Sequence, residues 1–195
     1  MSDKSIQKKK YIVEKARKVF IDKGFKSVTM KDVVEACDIS RGGLYLYFDS
    51  TESLFAEVLK EEKLKGDGEV TDALPQAVTN SDIMTLFFRE QKKEMLKYKD
   101  SLLNAIYEYC FTVKSMGVRT VIDSQVDSSE VFLENLLKAG NATGEFDVAN
   151  VKRTARNMIY AFEGLKILSR TGSITERAID DEFVYLLEGI LPRHE

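Results

Sequence analysis

The chain has 195 residues, 44% apolar and 31% charged, with a net charge of −3 and a single histidine, His194. It is long enough to bury a real core, and no apolar run approaches the about 18 residues that a membrane-spanning helix needs. With no signal-peptide pattern, and with Cys37 and Cys110 far apart inside apolar helical faces, we expect buried thiols in a reducing, cytoplasmic setting and no membrane partner.

In chain order, the polar segment 1–7 reads as a frayed arm. Tyr11, Ile12, Val13, Ala16, Val19 and Phe20 then follow the period of an amphipathic first helix, which Gly24 should stop in a left-handed cap. Thr29 can accept the backbone N–H of Asp32, whose carboxylate makes a capping-box-like pair, ahead of Val33, Val34 and Cys37. Ser40 is a second N-cap candidate, for a short helix over 41–48, and Ile39 is the apolar plug between the two. Ser50 and Ser53 are alternative caps for a fourth helix with Leu54, Phe55, Val58 and Leu59. This helix should end at Gly66-Asp67-Gly68, followed by a connection containing Pro75. Two short helices joined by a tight turn form a helix-turn-helix pattern.

The remainder also reads as helices: about 82–98, a segment opened by Ser101, about 118–138, 151–170 and 175–191. The apolar arc of the Ser101 segment is wide enough for a buried central helix. Gly140, Asn141 and Gly144 should break the long third segment, and Gly172 and Pro192 close the last two. No alternating strand pattern occurs. We therefore expect an all-α chain of about nine helices, divided into residues 1–50 and residues 51–195.

One set of residues carries a resemblance. Gly24-Phe25, Thr29, the run Cys37-Asp38-Ile39-Ser40-Arg41-Gly42-Gly43-Leu44-Tyr45-Leu46-Tyr47-Phe48, and Ser53-Leu54-Phe55 resemble the DNA-binding domain of the TetR family of bacterial transcriptional regulators. The resemblance implies an N-terminal helix-turn-helix domain on a C-terminal helical domain that binds a ligand and dimerises. It implies a homodimer on a palindromic operator of double-stranded DNA, released by a small-molecule effector that the sequence does not identify. The charge distribution agrees. Residues 1–51 hold 11 Lys/Arg against 7 Asp/Glu, while residues 66–195 hold 15 against 21, so a basic end joins an acidic body.

On that reading, Arg41 takes guanine or clamps a phosphate, and Gly42 and Gly43 let the backbone approach DNA. In the family's pattern Tyr45 and Tyr47 both contact DNA, whereas Leu44 and Phe48 face the core. Thr29, Lys31 and Ser40 are phosphate candidates. Lys10, in the lysine run that leads into the first helix, is either a phosphate contact or simply solvated. The family usually has Ser-Lys-Glu where this chain has Ser50-Thr51-Glu52, so Thr51 offers a hydroxyl but no charge. For the effector, we expect a pocket drawing on Phe87, Asn104, Tyr107, Glu108, Phe111, Asn157 and Tyr160, although each taken singly reads as readily as core or helix surface. For the dimer, the resemblance points to the last two helices and to Ala155, Met158, Phe162, Phe183, Leu187 and Ile190; burial within one protomer is the competing reading.

Enzymatic chemistry finds no purchase in this sequence. One histidine beside the C-terminus permits no histidine triad and no histidine zinc site, and Arg41-Gly42-Gly43 lacks the spacing of a phosphate-binding loop. We expect no metal and no cofactor. The alternative to an effector-released repressor is a DNA-binding protein whose acidic body recruits a protein partner.

Overall fold

The computed structural model describes residues 3–72, 79–97, 99–113 and 116–192, with the side chains of all but 63–72 and 116–125. Among these residues there are nine α-helices and no strands: α1 Asp3–Lys23, α2 Met30–Cys37, α3 Arg41–Tyr45, α4 Thr51–Asp72, α5 Asn80–Leu96, α6 Leu103–Thr112, α7 Met116–Thr143, α8 Val151–Arg170 and α9 Glu176–Glu188. The connection expected around Pro75 and the side chains of Val121 and Ile122 lie outside the described residues. Two compact units form: Met1–Ala73 with Lys99–Ile122, and Leu74–Tyr98 with Asp123–Glu195. The first unit thus includes α4 and α6 beside the first three helices.

In the first unit, Ile12, Val13, Ala16 and Phe20 of α1 are buried against Val33 and Cys37 of α2, Leu44 of α3, and Leu54, Phe55, Val58 and Leu59 of α4. α1 begins at Asp3, so the segment read as a frayed arm is mostly helical. It stops at Gly24, whose φ of +72° is the left-handed region and whose N–H donates to Phe20 O at 2.9 Å. A Cβ there would also lie 2.6 Å from the Glu108 carboxylate of α6. That contact belongs to a seam the sequence did not reveal. Leu102, Ala105 and Tyr109 of the α6 segment complete this core, and the Tyr109 ring meets Phe25 at 4.7 Å and Phe55 at 5.0 Å, both edge-on. Glu108 accepts from Lys26 N at 2.9 Å, while Arg17 of α1 pairs with Glu62 of α4 and with Asp100.

In the second unit, Met84, Phe88 and Met95 of α5 pack with Leu133, Leu136 and Leu137 of α7, with the inner face of α8, and with Ile179 and Phe183 of α9. Phe87, Phe88, Phe132, Phe162 and Phe183 form its aromatic centre. α5 starts on a capping box, Thr79 with Asp82. Its first turn is also held by Glu145, which accepts from Ser81 N at 2.8 Å, from Asn80 Nδ2 at 2.7 Å and from Thr143 Oγ1 at 2.8 Å. These bonds hold its carboxyl down at about 2, Ser81 N–H contributing most.

The expected break at Gly66-Asp67-Gly68 is absent, and the one at Gly140, Asn141 and Gly144 occurs only at the last of these, where Gly144 takes φ +77°. α4 continues through Gly66 and Gly68 to Asp72, and α7 continues through Gly140 to Thr143. A helix-interior glycine costs only about 1 kcal/mol, which packing overrides. Gly140 is there for space, since a Cβ would overlap the Phe146 ring. The thiols also divide. Cys37 is buried, but Cys110 is exposed on α6.

Candidate nucleic-acid interface

The helix-turn-helix is built by local chemistry. Thr29 Oγ1 accepts from Asp32 N at 3.3 Å, and Asp32 Oδ2 accepts from Thr29 N at 2.8 Å, the full capping box. The Lys23 ammonium, 2.6 Å from Asp32, and then the Thr29 backbone N–H hold this carboxyl well below the usual range. α2 ends on Asp38 at φ +51°, Ile39 N donates to Val34 O, and Ser40 Oγ then accepts from Gly43 N at 3.1 Å to start α3. The expected helix over 41–48 is α-helical only to Tyr45. Tyr47 N bonds to Leu44 O at 2.9 Å, a tighter last turn that still buries Phe48. The alternative caps Ser50 and Ser53 act together: Ser50 Oγ accepts from Ser53 N, and Ser50 N donates to Ser53 Oγ.

These elements place Thr29, Lys31, Arg41, Tyr45 and Thr51 around one open concavity, floored by Val28, Met30 and Val34 and completed by Ser50. Lys31 is 84% exposed and pairs loosely with Glu35 at 3.7 Å. Arg41 is exposed and its guanidinium sits 5.5 Å from the Tyr45 ring centre, which aligns two side chains one turn apart. Ser40 and Gly42 are exposed beside them. A Cβ at Gly42 would meet nothing within 4 Å, and one at Gly43 only Ser40 Oγ at 3.1 Å, so the packing of α3 itself does not call for either glycine.

Other expected residues are placed differently. The Thr29 hydroxyl is engaged at both ends by Asp32, donating to Oδ2 at 2.8 Å and accepting from its N–H. Tyr47 is half-buried and accepts from Ser5 Oγ at 3.5 Å. Lys10 lies apart from the concavity, in the α1–α4 crevice with Glu61 and Glu62. On the other hand, Lys8 and Lys15 flank the Tyr11 ring, whose hydroxyl donates to Cys37 O at the end of α2. Of the same lysine run, Lys9 pairs with Glu57 at 2.7 Å and lies over the Phe48 ring.

The expected effector residues fall in both units. Asn104, Tyr107, Glu108 and Phe111 belong to α6 in the first unit, where Glu108 is engaged with Lys26 N and Phe111 is 76% exposed. Phe87 is packed into the second core, while Asn157 and Tyr160 are exposed on α8. The expected dimer residues pack inside the second unit. Ala155, Met158, Phe162, Phe183 and Ile190 are buried in their own protomer and Leu187 packs against them, because helical periodicity marks an apolar face without saying what covers it. The outward apolar side chains of these helices are Tyr160, Ile167 and Leu168 on α8 and Val184 and Tyr185 on α9. Among the described residues, no cluster of three or more potential metal ligands occurs, and no helix is long and apolar enough to cross a membrane.

Known proteins share this arrangement. The family described as bacterial regulatory proteins, tetR family, matches residues 12–58. The HTH-type transcriptional regulator YfiR of Bacillus subtilis is 32% identical over 136 residues, 69% of this chain and 66% of YfiR, so the alignment spans just under two thirds of that relative. The HTH-type transcriptional regulator QacR of Staphylococcus aureus is 25% identical over 163 residues, 83% of this chain and 86% of QacR. A TetR-family regulator structure from Cytophaga hutchinsonii superimposes with a TM-score of 0.82 over 100% of both chains at 19% identity. A transcriptional regulator from Saccharomonospora viridis, solved in complex with choline, gives 0.80 over 95% of this chain and 98% of its own at 18% identity. These last two likenesses concern the fold.

Proposed function

The chain belongs to the TetR family of bacterial transcriptional regulators, and from that premise we propose that it is a repressor which grips an inverted-repeat operator as a homodimer and lets go when a small molecule binds. Residues 1–50, with Thr51 at the start of α4, read the DNA, and the remainder of 51–195 receives the effector and dimerises. The single observation that carries the DNA-reading assignment is the gathering of Lys31, Arg41, Tyr45 and Thr51 around one open concavity beside the side-chain-free Gly42. α3 enters the major groove. Arg41 meets guanine O6/N7 or a phosphate, and Tyr45, held by Arg41, packs on a sugar or a thymine methyl. Ser40 keeps its hydroxyl proton for a phosphate while its oxygen caps α3, and Lys31 supplies charge.

Two recognition helices must sit about 34–36 Å apart to read adjacent major grooves on one face of the duplex, which calls for a pair of chains. The stripe Tyr160, Gly164, Ile167 and Leu168 of α8, spaced at i, i+4, i+7 and i+8, is apolar or small and faces outward. With Val184 and Tyr185 of α9 it supports a four-helix contact between protomers. α6 is seated on the DNA-reading core, with Tyr109 against Phe25 and Phe55 and Glu108 accepting from Lys26 N. An effector that moves α6 or α4 shifts the population towards heads wrongly spaced for both half-sites.

Selection of binding sites from random duplex DNA at fixed salt tests this function. Enrichment of an inverted repeat, lost when an effector is added, is the expected result. Recovery of nothing above nonspecific binding contradicts it and favours a body that recruits a protein partner.

A further inference from the structure

α3 turns one apolar side chain straight outward. Leu46 is 83% exposed, more than any other large apolar side chain among the described residues. Its backbone is still helical, at φ −67° and ψ −21°, and its N–H donates to Gly42 O at 3.2 Å. Leu44, two residues earlier, is fully buried. Two residues are about 200° of helix, so seating Leu44 in the core fixes Leu46 on the opposite pole. Its neighbours on that pole, Gly42 one turn earlier and Gly43 beside it, have no side chains, and the space at Gly42 is open. The outward surface of α3 is therefore bare backbone with one apolar finger, edged by the Arg41–Tyr45 pair. A single exposed leucine is ordinary on a protein surface. This one stands at the end of the helix assigned to DNA, next to Tyr45.

We propose that Leu46 reads the C5-methyl group of a thymine in the major groove and so sets one A·T position in each half-site. The proposal rests on the reading of α3 as the recognition helix. Thymine alone among the four bases offers a methyl group on that edge. A leucine neither donates nor accepts hydrogen bonds, so against the other bases it gains no methyl contact and strips water from a polar edge. The two glycines remove the side chains that would otherwise hold the backbone off the groove floor, which brings Leu46 within reach of the base.

The test uses the operator recovered by selection, with each thymine replaced in turn by deoxyuridine, which deletes only the methyl group. For the wild type, one replacement per half-site should weaken binding about fourfold, the worth of one buried methyl group. Leu46→Ala should bind the unmodified operator correspondingly more weakly and show no further loss at that replacement. Leu46 contributes nothing to the core, so the melting temperature of Leu46→Ala should match the wild type. The proposal is overturned if no replacement matters to the wild type, or if the sensitive thymine stays equally sensitive in Leu46→Ala. Failure of the underlying reading looks different: no operator is enriched at all, or Arg41→Ala binds the operator as well as the wild type does. Either of those results removes the Leu46 assignment with it.

Discussion

Thr51 stands where a charged phosphate anchor is usual in the family, and it lines the same concavity as Arg41 and Tyr45. A neutral hydroxyl can bond a phosphate but displaces no counterion. Thr51→Lys should therefore tighten operator binding and steepen the dependence of log K on log salt by roughly one unit per head, about two for the dimer. Binding titrations over a salt series read this directly, and an unchanged slope would remove Thr51 from the interface. Glu145 makes a different kind of statement, about stability. Its folded carboxyl is held at about 2 against the usual 4.5, chiefly by Ser81 N–H, so it stabilises the fold above about pH 4.5 and loses that contribution as pH falls through about 2. Glu145→Gln should melt below the wild type at neutral pH, and the two melting curves should converge between about pH 4.5 and 2. A gap that persists at the acidic end would mean the side chain acts through packing, not charge. Local signals such as the Thr29–Asp32 box, the Ser40 cap and the Gly24 stop were legible because each rests on residues three or four apart. Glu145 on Ser81 and Glu108 on Lys26 were not, since their partners are 64 and 82 residues away.

At the scale of elements, the helical period identified nearly every helix, and it fixed 151–170 to the residue. It could not say what each apolar face meets. α6 read as a central helix of the body, yet its Tyr109 is fully buried against Phe25 and Phe55 in the same core as α1 and α4. Tyr109→Ala should cost about 3–5 kcal/mol of the stability of the first unit, as large aromatic truncations do. Tyr109→Phe, which keeps the ring, should cost far less. Denaturant unfolding measures both, and equal losses would show that the hydroxyl, not the edge-on ring packing, holds α6 in place. α8 carried the same ambiguity in another form. It has two apolar sides, one spent on the core through Ala155, Met158 and Phe162, the other turned out through Tyr160, Ile167 and Leu168. A sequence stripe cannot rank them. Gly140 failed as a stop signal because a helix-interior glycine costs only about 1 kcal/mol, whereas Gly144, in the left-handed region, does close α7.

For the whole molecule, the account requires two copies. The wild type should sediment at twice the 22.2 kDa chain mass, and Leu168→Glu with Tyr185→Glu should sediment as a monomer that keeps its helical content. A monomeric wild type, or a variant that stays dimeric, would place the contact elsewhere. The monomeric variant should also lose operator affinity far more than nonspecific affinity, because only the pair of heads reads an inverted repeat. The basic N-terminal stretch and the acidic remainder fit this division of labour, with attraction to DNA confined to the reading end.

The central claim is that α3, led by Arg41, reads DNA sequence. Its most direct test is the affinity of wild type and Arg41→Ala for the selected operator and for a scrambled duplex at one salt concentration. We predict a loss of about 1–3 kcal/mol on the operator, a much smaller loss on the scrambled duplex, and relaxed preference at one position of each half-site. Equal affinities of the two proteins for both duplexes would contradict the account.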